Sequence, residues 1–416
     1  MNSMHTATVN EAFYQPLKGL AHHSPHAKRC PELPDEDFIV LGVQRVLESS
    51  ESGRSFLQEH GLRFPNTPDH NNYFAALRSA RRGLVLGDVN RALVAAFDVA
   101  LPDRLADMPE LKTYECFALD GHWHQAAAHD PRHEDSRMAV GHFYGLNLRT
   151  HTLRHLAAGQ GLHEHDMSAL KRIKPRGLRQ DVPRGKRVII VYDKAGIDFD
   201  YWKRCRQECA VYFISRVKEN MAYDWIDSVA WDRSDARNHG VTEDRRVRTR
   251  DGHAMRIVCY TDPRSGESYE FLTNEPDLPP GVIVELYRRR WEAEKVFDQI
   301  KNKLGQKKAW ATRLVAKEAQ AQLIAMTHNL LLFYEQTLET RHGIKNEAED
   351  QRRRQRTQAA ENKCAQAGAP LSPLVVRAQR ATQRSVKFIR WLRQSIRDNV
   401  AEATAMLRLK QLYATS

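Results

Sequence analysis

The sequence predicts an α/β protein whose strand-and-helix middle is flanked by helical segments on both sides. Three observations carry this. Two β-prone runs in the middle of the chain, TYECFALD and RVIIVYD, each close on an aspartate. The second is continuously apolar from Val188 to Tyr192, the pattern of a parallel-type strand buried on both faces. Before and after this region, apolar residues recur at helical spacing. At 416 residues the chain suggests two to four domains, with ample length for a sizeable core.

Taken in order, residues 1–34 are rich in His and Pro without periodicity and read as a flexible tail. Residues 35–101 read as four short helices divided with the help of Gly61 and Gly83, the format of a small helical DNA-binding module. Strands follow at 113–120, 141–148 and 150–156 as an antiparallel meander, then a helix at 168–173, the strand ending at Asp193, a helix from Tyr201 and a strand at 211–217. Between 219 and 283 the text is β-like, with a hairpin around Pro263, Arg264, Ser265 and Gly266. The apolar stretch within 318–339 reads as a buried helix, too short and interrupted to span a membrane. A charged segment then leads through Gly368 to one amphipathic helix around 386–412.

Composition narrows the partners. There are 64 Lys and Arg against 52 Asp and Glu, a net charge of +12, which favours a polyanion. The cations are bunched at 171–187, at Arg245, Arg246, Arg248 and Arg250, and at Arg352, Arg353, Arg354 and Arg356. Any one such cluster is more often a solvated face; three around one acidic site point to DNA. No run of about eighteen apolar residues occurs and the first 29 residues are too polar for a secretory signal, so a cytoplasmic protein without membrane association is expected. The six cysteines form no evident framework and are expected to be reduced packing residues; Cys205 and Cys209 have metal-ligand spacing but no obvious second pair.

The candidate chemistry lies in YRRRWEAEKVFDQIKNKL, where Tyr287, Arg290, Glu294 and Lys301 stand in the pattern Tyr-(2)-Arg-(3)-Glu-(6)-Lys. On one continuous helix their offsets place all four within an arc of about 60°. Leu286, Val296, Phe297, Ile300 and Leu304 fall on the adjoining sector and can pack on a core. A carboxylate between two cations and a phenol suits a metal ion beside a phosphodiester, since carboxylate oxygens hold Mg²⁺ while Arg and Lys neutralise phosphate. The plain alternative is a solvated helix face. Asp120 and Asp193, past the ends of their strands, sit where open α/β sheets place ligands, although Asp at such a junction is also a common helix cap.

Asp120 in LDGHWH, Asp193 in VYDKAG and Glu294 in the signature segment resemble the acid triad of the DDE transposases, specifically the insertion-sequence family with the Tyr-Arg-Glu-Lys signature. The resemblance covers roughly 113–341 and includes the basic-ended strand VYFISRVK and the lead-in FLTNEPDLPPGVIVEL. It departs at Lys194, where many relatives have Arg, and at Gly121-His122, where a small hydroxyl residue is more usual. The resemblance implies a ribonuclease H-like catalytic core (111–218 and 284–345) with a β-rich insertion (219–283), a helical DNA-binding domain (35–110), and a charged linker with a C-terminal helix (346–416). It implies metal-dependent cleavage at transposon ends and strand transfer into target DNA, with Asp120, Asp193 and Glu294 holding two Mg²⁺ ions, for which Mn²⁺ could substitute. Tyr287, Arg290, Lys301, Lys194, Arg216 and Lys218 would contact DNA. The implied partners are double-stranded DNA, both terminal inverted repeats and target, and a second copy of the chain in a homodimer; the implied setting is a bacterial nucleoid. Trp225 and Trp231 lie where relatives use an aromatic to stack on a flipped base, with core packing as the alternative. End recognition is expected from the helical region, where Arg78, Arg81, Arg82 and Arg91 could enter a major groove.

Two alternatives stand beside this. Asp120, His122 and His124 alternate along a strand, and His163 and His165 repeat the spacing, which would suit a zinc-dependent hydrolase but leaves the signature unexplained. A transposase-derived DNA-binding protein without activity is the other; the intact triad argues against it.

Overall fold

The computed structural model describes residues 7–48, 52–125, 140–159, 166–376 and 382–414. Helix α1 (Val9–Tyr14) opens it, followed by α2 (Asp35–Glu48), α3 (Gly53–Gly61), α4 (His70–Leu77) and α5 (Ala80–Ala100). Strands β1 (Tyr114–His124), β2 (Val140–Asn147) and β3 (Leu153–Ala158) come next, then α6 (Asp166–Arg172), α7 (Pro175–Leu178), β4 (Arg187–Val191), α8 (Phe199–Cys209) and β5 (Val211–Arg216). Four more strands, β6 (Tyr223–Ser228), β7 (Val241–Thr249), β8 (Ala254–Thr261) and β9 (Ser268–Thr273), precede α9 (Pro280–Arg288) and α10 (Trp291–Asp298). A π-helical segment (Gln299–Lys303) leads to α11 (Leu314–His342), α12 (Glu347–Gln366), α13 (Pro373–Val376), α14 (Val386–Arg397) and α15 (Glu402–Ala414).

The nine strands among the described residues form one mixed sheet in the order β3-β2-β1-β4-β5-β9-β8-β7-β6. β1 runs antiparallel to β2 and parallel to β4, and β4 runs parallel to β5. The β-like segment between 219 and 283 therefore extends the same sheet as an antiparallel meander joined through β9 to β5.

Side-chain alternation divides the core in two. Along β4, Ile189 and Val191 face one layer while Val188 and Ile190 face the other. The first layer is roofed by α9, α10 and α11 together with α2 to α5; the second is roofed by α6, α7 and α8. On β1 the even positions Tyr114, Cys116 and Ala118 join the first layer, so Asp120 points toward α10.

Several sequence expectations are corrected. Residues 9–14, read as tail, form α1, whose Val9 and Phe13 are buried, and Thr8 and Glu11 close a reciprocal capping box at its start. The third and fourth helices divide at Ser79, whose hydroxyl caps α5 by accepting from the Arg82 amide, and Gly83 lies within α5. The C-terminal helix is two helices, separated near Asn399 with φ of 47°. The signature segment is not one helix: hydrogen bonds from Arg290 to Tyr287 and from Glu292 to Arg289 close tight turns between α9 and α10, and the π-helical turn then widens the path to Lys301.

Candidate active site

Asp120 is held inside a strand, opposite Tyr144 of β2. β1 was expected to end there, but it continues to His124; what ends is the pairing with β4, at Ala118 and Val191. Two residues past β4, Asp193 caps a short 3₁₀ turn by accepting from the Lys194 amide. The chain can turn so tightly because residue 196 is glycine. A Cβ at Gly196 would meet the Tyr192 ring at 1.5 Å. Glu294 lies in the first turn of α10, and that helix is fixed over β1 by Phe297, which stacks on His122 at 5.4 Å between ring centres.

Arg290 joins these elements. Its guanidinium is 2.7 Å from Glu294 Oε1 and 3.7 Å from Asp120 Oδ2, and the residue is 8% exposed. Burial works against its charge, but Tyr287, Glu294 and Asp120 together hold it protonated more firmly than an ordinary arginine. Tyr287 connects this group to the third acid: burial raises its phenol pKa, Arg290 pulls it back, and the charge of Asp193 raises it again. Arg216 also acts on Tyr287 and lies 5.0 Å over the Tyr269 ring. Lys301 is exposed, and its charge is among the causes that hold the His122 pKa down. Lys194 is exposed with its ammonium 4.0 Å from Glu219, and Lys218 is half-buried just beyond β5.

The three arginines in YRRRW have three different fates. Arg289 is buried, bound to Glu285 and to the Arg104 carbonyl, and anchors α9. Arg288 shares Glu285 from the other side. Only Arg290 reaches the acids. The pattern singled out Arg290 but not the pairing with Asp120, which depends on the tight turn between α9 and α10.

Carboxylate oxygens are the donors that hard dications take. Asp120 and Glu294 converge on one guanidinium, which stands where a cation would and shows that the pair suits positive charge between them. Among the described residues no group of three His, Cys, Asp or Glu side chains is close enough to hold one ion, so Asp193 does not complete the set in this arrangement.

The zinc alternative fares worse. His122 and His124 do share a face of β1, but both are buried in a row continuing through His142 and His155, with ring centres 4.9 to 5.3 Å apart. Burial pushes His122 and His155 down to about 4 and His124 and His142 well below the usual imidazole value, so the row is neutral, and among the described residues no three such side chains are close enough to hold one ion. His163 and His165 lie outside the described residues. Cys205 and Cys209 are buried free thiols in α8. Trp225 is 54% exposed on β6 with Arg245 beside it, and Trp231 is half-buried under Arg233.

The arginines expected to read DNA from the helical region are largely engaged within the protein. Arg81 and Arg82 both bind Asp35, Arg82 also donates to the Leu33 carbonyl, and Arg91 pairs with Asp88. Arg78 is exposed and bonds the Phe74 carbonyl.

A mixed sheet with Asp120 and Asp193 near the exit of its central parallel strands, and Arg290 bridging Asp120 to Glu294 of α10, defines an α/β protein with an acidic site suited to a cation. Residues 113–330, from just before β1 into α11, match the family model described as the transposase DDE domain, and the chain belongs to that family. It is a transposase acting on DNA, and enzymes of this family use divalent metal ions. Among solved structures, the cryo-EM structure of the piggyBac transposase synaptic complex with hairpin DNA is similar at 12% identity and a TM-score of 0.36, over 98% of this chain and 80% of that one. No curated protein matches the sequence. No helix among the described residues is long and apolar enough to cross a membrane.

Proposed function

We propose that this transposase is of the insertion-sequence type with the Tyr-Arg-Glu-Lys signature, that its catalytic acids are Asp120, Asp193 and Glu294, and that they work with Mg²⁺. The observation that carries the proposal is the convergence of Asp120 and Glu294 on Arg290, with Tyr287 coupled to both Arg290 and Asp193. Five signature or triad positions, from β1, the end of β4 and the α9–α10 segment, thus lie around one end of the central strands. The strand order β3-β2-β1-β4-β5, with β1 antiparallel to β2 and parallel to β4, supports a ribonuclease H-like core, and β6 to β9 supply the β-rich insertion.

Asp120 and Glu294 would hold the dication, with Asp193 closing on it when DNA is present. The chemistry supplied by divalent ions there is activation of the attacking hydroxyl and stabilisation of the leaving oxygen. The chain's own contribution is to hold the phosphate still. Arg290 exchanges its carboxylates for phosphate oxygens, Tyr287 fixes its plane, and Lys301, Lys194, Arg216 and Lys218 neutralise neighbouring phosphates. Pairing of two such complexes in a homodimer would bring two DNA ends together.

Mn²⁺ binding to the full chain with duplex DNA, followed by electron paramagnetic resonance, tests the proposal. Wild type should bind Mn²⁺ more tightly with DNA than without, and Glu294→Gln should lose that gain. Equal Mn²⁺ binding by both proteins in the presence of DNA would refute it.

A further inference from the structure

The arginine run at 352–356 takes no part in the acid site. In the fold it becomes one wall of a cleft. Arg353 and Arg356 of α12 face Arg288 at the end of α9 and Lys295 of α10, and Arg264 from the turn between β8 and β9 closes one end. Three segments distant in sequence therefore bring five cations around a cleft of about 370 Å³, whose one acidic lining residue is Glu292.

The internal partners do not balance these charges. Asp262 pairs with Arg264, Glu292 with Lys295 and Asp350 with Arg353. Glu285, however, serves both Arg288 and Arg289, so one carboxylate answers two guanidiniums. Arg356 is exposed and makes no ion pair among the described residues. Arg264 and Arg288 are near enough to repel each other. A surface that assembles like charges from separate elements, with Glu285 shared and Arg356 outside any ion pair among the described residues, is stabilised by an anion entering it.

We propose that this cleft is a second DNA-binding surface that takes a phosphodiester backbone, separate from the acid site. Within α10, Glu292 and Lys295 lie on a different face from Glu294, and Arg288 lines the cleft while Arg290 faces Glu294 and Asp120. One segment could thus hold two stretches of DNA at once, one at the acids and one against α12. Solvent-open cations on two helices suit an extended backbone, whose contacts fix position without reading bases.

The test uses the full chain and a non-specific 40-base-pair duplex, with affinity measured against salt. Replacing Arg353 and Arg356 together by Ala should lower the salt slope by about 1.8, since each phosphate neutralised contributes about 0.9. Between 50 and 200 mM salt, wild type should then lose about 12-fold more affinity than the variant. Arg356→Lys keeps the charge and should keep its share of the slope, and unchanged melting of the variants excludes misfolding. The loss should add to that of an Arg290→Ala, Lys301→Ala variant. An unchanged slope in the α12 variant alongside a reduced slope in the Arg290, Lys301 variant overturns the second surface and leaves the acid-site reading intact. A reduced slope in the α12 variant alone supports the cleft and removes the acid-site contacts. Competition by ATP with no change in the duplex slope would show a nucleotide site and overturn the proposal.

Discussion

Arg290 carries the most structural information of any single residue here. It fills the space between Asp120 and Glu294, so its removal leaves two half-buried carboxylates facing each other. Arg290→Ala should cost about 1 kcal/mol in metal-free buffer, the scale of a partly exposed ion pair. Because a dication can take the vacated place, Mg²⁺ should raise the melting temperature of Arg290→Ala more than that of wild type; equal shifts would show that Mg²⁺ does not bind between these acids. Gly196 makes a second residue-scale case. Alanine there drives a methyl into the Tyr192 ring, so the turn carrying Asp193 must move, with a destabilisation of about 1–3 kcal/mol visible in chemical denaturation. Asp120, Asp193, Arg290 and Glu294 could be singled out as candidates in the sequence because they stand in recognisable strand and helix patterns. Which of three consecutive arginines would touch Asp120 was not legible, because that depends on a turn with neither Gly nor Pro to mark it.

At the scale of elements, legibility followed burial. The apolar run of β4 and the hairpin of β8 and β9 fall where the sequence placed them, since their patterns match two-sided and one-sided burial. Helix ends were harder. Ser79 is a normal capping residue, but Gly83 looked like the stronger break, and within α5 it simply continues the helix. The wide π turn after α10 was hidden, because Phe297, Ile300 and Leu304 keep an ordinary helical spacing through it. The helical region shows the same contrast between pattern and packing. Its arginines looked like a DNA-reading set, whereas Arg82 is buried against Asp35 and stacks over Phe38. Arg82→Ala should therefore destabilise the protein by about 1–3 kcal/mol, since Arg81 still holds Asp35 but the buried Leu33 carbonyl loses its donor and Phe38 its packing partner. Arg78→Ala, at an exposed position, should stay within about 0.5 kcal/mol. Thermal melting of the two variants separates a structural from a surface role.

Across the whole molecule, the neutral histidine row sets a limit on acid stability. His122, His124, His142 and His155 all have folded pKa values depressed by burial, so the unfolded chain binds protons more readily than the folded one. Their contribution is intact above pH 6.5 and is lost as pH falls from there toward about 4, the value at His122. For His122 alone the loss at pH 5 is about 2 kcal/mol. Unfolding free energy measured from pH 7.5 to 5 should fall steeply, and His142→Phe should flatten that fall.

The account rests on three acids from β1, the end of β4 and α10 acting as one site. Nicking of supercoiled plasmid DNA in Mg²⁺ by the full chain tests this most directly. Asp120→Asn, Asp193→Asn and Glu294→Gln should each abolish nicking while retaining DNA binding. Asp298→Asn, one turn beyond Glu294 and hydrogen-bonded to Asn302, should nick like wild type. Loss of nicking in Asp298→Asn with activity kept in Glu294→Gln would contradict the assignment of the third acid and, with it, the site.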